Sequence, residues 1–144
     1  MFKRILVPTD GSDITAKAVQ TALSLANQQG AQLFAFSVKE PFPYRAISEM
    51  QPVPPQEFYD AQERIAAARV KAVVDAAGKA GVTCSGHTVE ALHAWEAIID
   101  LAKAQQCDLI VMASHGRRGI TALLLGSETA RVLTHSDIPV LVVK

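Results

Sequence analysis

Glycine, hydroxyl and basic residues are concentrated in one stretch of this 144-residue sequence, from position 113 to position 129. The stretch opens with Ala113-Ser114-His115-Gly116-Arg117-Arg118-Gly119 and continues to Gly126-Ser127. Glycine exposes backbone N–H groups, and the basic side chains add positive charge and hydrogen-bond donors. Gly126-Ser127 lies where a helix is predicted to begin, so free amides and the helix dipole favour an anion there. The spacing predicts phosphate binding; the alternative is a solvated basic loop followed by an ordinary serine cap.

A second candidate is Asp10, which follows an early apolar run in Pro8-Thr9-Asp10-Gly11-Ser12. Its carboxylate is placed to accept hydrogen bonds from a base or a ribose. The same carboxylate could instead form an Asx turn or cap the first helix, and this stretch alone favours neither interpretation.

Familiar catalytic and metal-binding patterns do not occur in the sequence. Gly78-Lys79 does not complete a Walker A loop, no GxGxxG follows the first apolar run, and Ser114-His115 is not part of a GxSxG elbow. The four histidines show no metal-ligand spacing with the two cysteines, and Trp95 is interpreted as a packing residue. No general base or nucleophile is evident beside the glycine-containing loop, which indicates little or no catalysis.

Five short apolar runs alternate with stretches of helical period, and these elements must position the candidate residues. The runs cover residues 5–7, 33–38, 82–89, 109–113 and 140–143, and the helical stretches cover 14–25, 57–80, 94–102 and 127–136. Continuous apolar runs suit strands buried on both faces. The alternation predicts an α/β fold, an open, doubly wound, Rossmann-like parallel sheet with helices on both faces. Ligands of such sheets bind outside the carboxyl ends of the strands, which directs attention to strands one and four.

Composition narrows the class of protein further. The chain has the length of a single domain, residues 1–144, and its 14 basic residues balance its 14 acidic residues. This balance argues against nonspecific binding to nucleic acid or to an anionic membrane. No apolar run approaches the roughly 20 residues that span a bilayer. Two cysteines, Cys84 and Cys107, cannot form a disulfide framework. We expect a cytoplasmic domain without nucleic-acid or membrane partners.

Prolines are concentrated after the second apolar run, where positions 41, 43, 52, 54 and 55 hold five of the seven in the chain. Proline at this density cannot continue a helix or an inner strand. The segment is predicted to be a surface connection; the alternative is a lid over a ligand.

With these features the whole chain resembles the universal stress protein family in its single-domain bacterial form. The resemblance rests on the opening at residues 5–12, the strand at 108–112, Ser114-His115-Gly116, Leu124-Leu125-Gly126-Ser127, and the ending at 138–143. The family implies a five-stranded parallel sheet in the order 3-2-1-4-5. It also implies a homodimer through the C-terminal strand.

The resemblance further implies a site for ATP or another adenine nucleotide, with Mg²⁺ as a candidate companion ion. Members that bind ATP share a Gly-x2-Gly-x9-Gly-(Ser/Thr) pattern, which Gly116, Gly126 and Ser127 match and Ala113 does not. By position, Pro8, Thr9 and Asp10 would border adenine and ribose, and Val38 would touch adenine. Ribose and phosphates would be held by residues 113–119 and 126–129, and Met112 adjoins them. In this sequence these positions are Ala113, Ser114, His115, Gly116, Arg117, Arg118, Gly119, Gly126, Ser127, Glu128 and Thr129.

The leading hypothesis is therefore an ATP-binding regulatory protein of the stress response, acting on an unknown signalling partner. One alternative is a nucleotide-free dimeric interaction module, and another is a slow ATPase or nucleotidyl transferase. The shared sheet topology does not decide between them.

Overall fold

The computed structural model describes residues 1–43, 55–116 and 125–144. Strands and helices alternate through these ranges as the apolar runs predict. They are β1 (Arg4–Pro8), α1 (Asp13–Gln29), β2 (Gln32–Lys39), α2 (Gln56–Lys79), β3 (Cys84–Glu90), α3 (Ala94–Ala104), β4 (Leu109–Ala113), α4 (Ser127–His135) and β5 (Val140–Val143). None of the described helices is long and apolar enough to cross a membrane.

The five strands form one parallel sheet in the order β3-β2-β1-β4-β5, which confirms the predicted fold class and strand order. β1 is central, and the strand order reverses direction between β1 and β4. β3 and β5 are the two edges. The carboxyl ends of β1, β2 and β4 therefore meet at the switch point, where an open sheet of this kind binds ligands.

Two separate apolar layers explain why the strand residues form continuous runs. Ile5 and Val7 pack into a layer with α1 and α2, whereas Leu6 packs into a second layer with α3 and α4. Each inner strand thus buries both sets of alternating side chains, as strands in a doubly covered parallel sheet do.

Helix α2 approaches the sheet closely at Gly86 in β3. A Cβ added at Gly86 would overlap Cγ1 of Val70, a side chain of α2 that is only 7% exposed. Gly86 interrupts the apolar alternation of this strand because the helix occupies the space that a side chain would need.

Local signals account for the ends of α1. Ser12 is its N-cap, and the Ser12 hydroxyl accepts a hydrogen bond from the N–H of Thr15. Gly30 ends the helix with φ at 65°, a left-handed conformation that glycine adopts without steric cost. The Ser12 cap places the first turn of α1 directly after the carboxyl end of β1.

Candidate functional site

A cavity of about 960 Å³ lies at the carboxyl ends of β1, β2 and β4, at the upper end of the size range for small-molecule sites. Its wall includes most of the residues that the sequence predicted. These are Pro8, Thr9, Asp10, Val38, Met112, Ala113, His115, Gly116, Gly126, Ser127, Glu128 and Thr129. Ser114 is not in the wall; it is buried, and its hydroxyl lies 3.2 Å from Nδ1 of His115. Arg117, Arg118 and Gly119 lie outside the described residues.

The first turn of α4 presents backbone N–H groups to this cavity. Gly126 is the N-cap and makes no side-chain cap, and the first helical N–H with a backbone acceptor is that of Ala130, bonded to Gly126 at 2.9 Å. The amides of Ser127, Glu128 and Thr129 have no acceptor among the described residues. Because Gly126 is the cap, the interpretation of Ser127 as an ordinary serine cap is wrong. Three amides at a helix start that have no acceptor in the described part of the chain form an anion-binding arrangement.

Gly126 lies where two backbones approach each other closely. Its N–H donates to the carbonyl oxygen of Ser114 at 2.7 Å. An added Cβ would lie 3.0 Å from Cα of His115 and 3.1 Å from the Ser114 oxygen. This contact fixes the start of α4 against the loop that follows β4.

Asp10 forms an Asx turn, which is the structural role that its sequence context allowed. Its Oδ1 accepts hydrogen bonds from the N–H of Ser12 at 2.9 Å, an Asx turn, and from the hydroxyl of Thr15 at 3.1 Å. An added Cβ on Gly116 would lie 2.7 Å from Oδ2. The turn holds the carboxylate of Asp10 against the loop after β4, in the cavity wall.

The backbone of Val38 extends β2 beyond its pairing with β1. In β2, the backbones of Leu33 and Lys39 form hydrogen bonds on the side of the strand that faces β3. The carbonyl of Phe36 instead accepts the N–H of Thr9, at 2.8 Å, on the side that faces β1. In a parallel sheet, successive residues of a strand direct their backbone N–H and C=O groups to opposite neighbouring strands. The backbone groups of Val38 therefore face the β1 side, as those of Phe36 do. The register of β1 with β2 ends at Pro8 and Phe36. The N–H and C=O of Val38 consequently have no partner among the described residues.

Two side chains of α4 that line the cavity form hydrogen bonds with other elements of the fold. The hydroxyl of Thr129 donates to the carbonyl of Ala113 at 2.8 Å. Oε2 of Glu128 accepts the backbone N–H of Trp95 at 2.8 Å, which joins α4 to the first turn of α3. Trp95 stacks on His135 with ring centroids 4.5 Å apart and is not in the cavity wall, as the packing interpretation predicts.

Ala113 departs from the glycine of the full nucleotide-binding pattern without backbone strain. It is the last residue of β4, and among the described residues Gln106 is the one non-glycine residue with positive φ. Alanine adopts the extended conformation of position 113 freely. Ala113 is buried in the apolar layer that packs on α1 and α2, and the residue also borders the cavity.

Several residues of the cavity wall were not predicted. Ser37, Phe42 and Arg69 come from the α1–α2 side of the sheet, and Ala91, Leu92, Ala94 and Ile98 come from the start of α3. The hydroxyl of Ser37 is buried, and it has no hydrogen-bond partner among the described residues. Pro41, Phe42 and Pro43 border the cavity, so the proline-rich segment begins at the site; positions 44–54 lie outside the described residues.

The ionisable groups of the described residues do not supply a metal centre or a reactive thiol. No group of three or more His, Cys, Asp or Glu side chains in residues 1–43, 55–116 and 125–144 could hold a metal ion. Burial raises the pKa of the Cys107 thiol to about 11 and also raises the pKa of Cys84. Both free cysteines are therefore neutral and weakly nucleophilic near pH 7, and neither lines the cavity.

Comparison with known proteins agrees with this geometry. The model of the universal stress protein family matches residues 1–144. The universal stress protein MJ0531 of Methanocaldococcus jannaschii is 32% identical over 153 residues, covering 100% of this chain and 83% of the relative. A solved structure of the protein MJ0577 superposes with a TM-score of 0.84 at 26% identity, covering 100% of this chain and 96% of that one.

A universal stress protein solved in complex with cAMP superposes with a TM-score of 0.72 at 30% identity, covering 99% of this chain and 97% of that one. The match of the family model over the whole chain, together with relatives of this similarity, shows that the chain belongs to the universal stress protein family.

Proposed function

We propose that this protein binds adenine nucleotides, ATP among them, in the cavity at the carboxyl ends of β1, β2 and β4, and acts as a regulatory module of the stress response. One observation carries the proposal: the same cavity is lined by Val38 and by the first turn of α4, where the backbone groups of Val38 and the amides of residues 127–129 have no partner among the described residues. A nucleotide has a base with hydrogen-bonding edges and an anionic phosphate, which these two features would each recognise.

The Val38 edge supports recognition of the base. Its N–H is a donor and its C=O an acceptor, and adenine presents the complementary pair, N1 as acceptor and the N6 amino group as donor. Phe36 and Val38 also supply apolar surface to the cavity. A mostly apolar cleft with a few placed polar groups is the usual form of a small-molecule site.

The free amides of Ser127, Glu128 and Thr129 support recognition of phosphate. They add the hydrogen bonds of three N–H donors to the positive end of the α4 dipole. Mg²⁺, if it accompanies a polyphosphate, would be held mainly by phosphate oxygens and water, since the described residues offer no ligand cluster.

The relative solved with cAMP supports an adenine nucleotide as the ligand class, because it is 30% identical to this chain over nearly its whole length. A regulatory role is part of the same proposal and is supported by membership of the universal stress protein family. Cytoplasmic location is part of the same proposal; the two free thiols suit a reducing compartment.

The proposal is tested by calorimetric titration with ATP and AMP of the wild type and of Val38→Trp. We expect the wild type to bind and Val38→Trp to bind neither nucleotide, because the indole would fill the space beside the Val38 edge. Val89→Trp is the matched control: Val89 is the register partner of Val38 on β3 and does not line the cavity.

Retained affinity in Val38→Trp would place the base elsewhere. No binding of either nucleotide to the wild type at millimolar concentration would reject the nucleotide proposal in favour of an interaction module.

We also propose a homodimer through β5. The N–H of Ile110 donates to the carbonyl of Pro139 at 3.0 Å and that of Ser114 to Val143 at 2.8 Å, so alternate residues of β5 bond to β4. The backbones of Val140 and Val142 then point away from the sheet. An apolar edge of this kind, without a partner in the described part of the chain, invites pairing with a second chain.

Val142→Pro is expected to convert the dimer to a monomer in light scattering, because it removes an outward N–H without breaking the β4 ladder. Thr88→Pro is the control on the opposite edge, where the backbone of Thr88 likewise points outward. A dimer that survives Val142→Pro but is lost in Thr88→Pro would assign the interface to β3.

A further inference from the structure

We propose that Glu128 determines the charge of the nucleotide that the cavity accepts, favouring ligands with one phosphate group over those with three. The inference rests on the proposed function, since it concerns which adenine nucleotide occupies that site. It is carried by the position of the Glu128 carboxylate, in the cavity wall and between two helix starts.

Both α3 and α4 begin at the cavity wall, at Ala94 and Ser127. Each helix start carries roughly half a positive charge, and two of them facing one cavity would together favour a polyanion. The start of α3 is already occupied. The backbone N–H of Trp95 in its first turn donates to Oε2 of Glu128 at 2.8 Å. The carboxylate therefore offsets the positive charge at the start of α3, so this helix start does not contribute to anion binding.

Glu128 also belongs to the first turn of α4, one residue after Ser127. Its carboxylate brings a full negative charge within a helical turn of the amides that would hold phosphate. Among the described lysines and arginines, Arg69 alone lines the cavity, and it reaches it from α2 on the other side of the sheet. The three amides suffice for one phosphate group, whereas each further phosphate charge is repelled by the carboxylate.

The test is Glu128→Gln, which removes the charge and keeps an amide oxygen able to accept the Trp95 N–H. Affinities for AMP and ATP are measured by calorimetry in EDTA, so that ATP carries its full charge. We expect the ratio of ATP affinity to AMP affinity to rise by about tenfold, the effect of one charge at close range in a partly screened site.

Glu96→Gln is the matched control. It makes the same charge change in the first turn of α3, at an exposed residue that does not line the cavity. The ratio is expected to stay unchanged in this variant. A tenfold increase in ionic strength should narrow the difference between the wild type and Glu128→Gln, because salt screens the repulsion.

A hydrogen bond that only held α3 against α4 would change AMP and ATP affinity by the same factor. An unchanged ratio in Glu128→Gln, with both nucleotides bound, therefore overturns this inference and leaves the proposed function standing. A ratio that rises equally in Glu96→Gln, or a difference insensitive to salt, also overturns it. If neither nucleotide binds to the wild type or to Glu128→Gln, the proposed function and the inference fail together.

Discussion

Replacement of Gly126 by valine is expected to lower nucleotide affinity at least a hundredfold, and replacement by alanine about tenfold. A Cβ at this position lies 3.0 Å from Cα of His115 and 3.1 Å from the carbonyl of Ser114, and both neighbours are backbone atoms that cannot rotate away. The start of α4 must then move. Hydrogen bonds to a charged group are worth roughly 1.5–3 kcal/mol each, so misplacing one or two amides costs about one to two orders of magnitude in affinity.

The measurement is calorimetry with AMP and ATP, with circular dichroism to show that the fold is retained. Gly78→Ala serves as the control, because nothing lies within 4 Å of the Cβ it adds on α2. It should bind like the wild type and unfold at a slightly higher denaturant concentration, since alanine suits a helix better than glycine. Full affinity in Gly126→Val would show that the α4 amides do not hold the ligand.

Gly86→Ala is expected to lower the free energy of unfolding by about 1–3 kcal/mol, the usual cost of overpacking a core. The added methyl overlaps Cγ1 of Val70, and a buried valine has few alternative rotamers. Helix α2 must therefore shift away from β3. Urea denaturation measures the change, and an equal or higher stability would contradict the close approach.

A double-mutant cycle isolates this contact. Val70→Ala alone should cost about 2 kcal/mol by leaving a cavity in the core. In the Gly86→Ala background the same change should cost little, because the new methyl fills part of that space. A coupling energy above about 1 kcal/mol is expected for residues in contact, and simple additivity would show that the destabilisation arises elsewhere.

Most elements of this fold were predictable because β1, β4 and β5 are short apolar runs and the helices have a clear period, whereas β3 gave a weaker signal. Residues 109–113 are buried on both faces, which a single sequence reveals directly. The role of Gly86 was not predictable in the same way. The sequence shows that it breaks the alternation of β3, but the closeness of α2 depends on how the helix crosses the sheet.

The site was predictable where topology alone brings residues together. Asp10 and Gly116 follow two strands that are neighbours at the switch point, and they meet in the structure. Arg69 and Ser37 were missed because helix α2 and the alternate face of β2 reach the cavity from the other side of the sheet. The hydrogen bond from the backbone N–H of Trp95 to the carboxylate of Glu128 joins residues 33 apart in the chain, so no local sequence pattern predicts it.

Trp95 is the single tryptophan of the chain, and it touches α4 near both of that helix's ends. Its backbone is bonded to Glu128 in the first turn, and its indole stacks on His135, the last residue of the helix. The emission of an indole responds to the polarity around it and to the rings it contacts. A ligand that moves the first turn of α4 will therefore alter the fluorescence of the unlabelled protein, which lets binding be followed in real time without a dye.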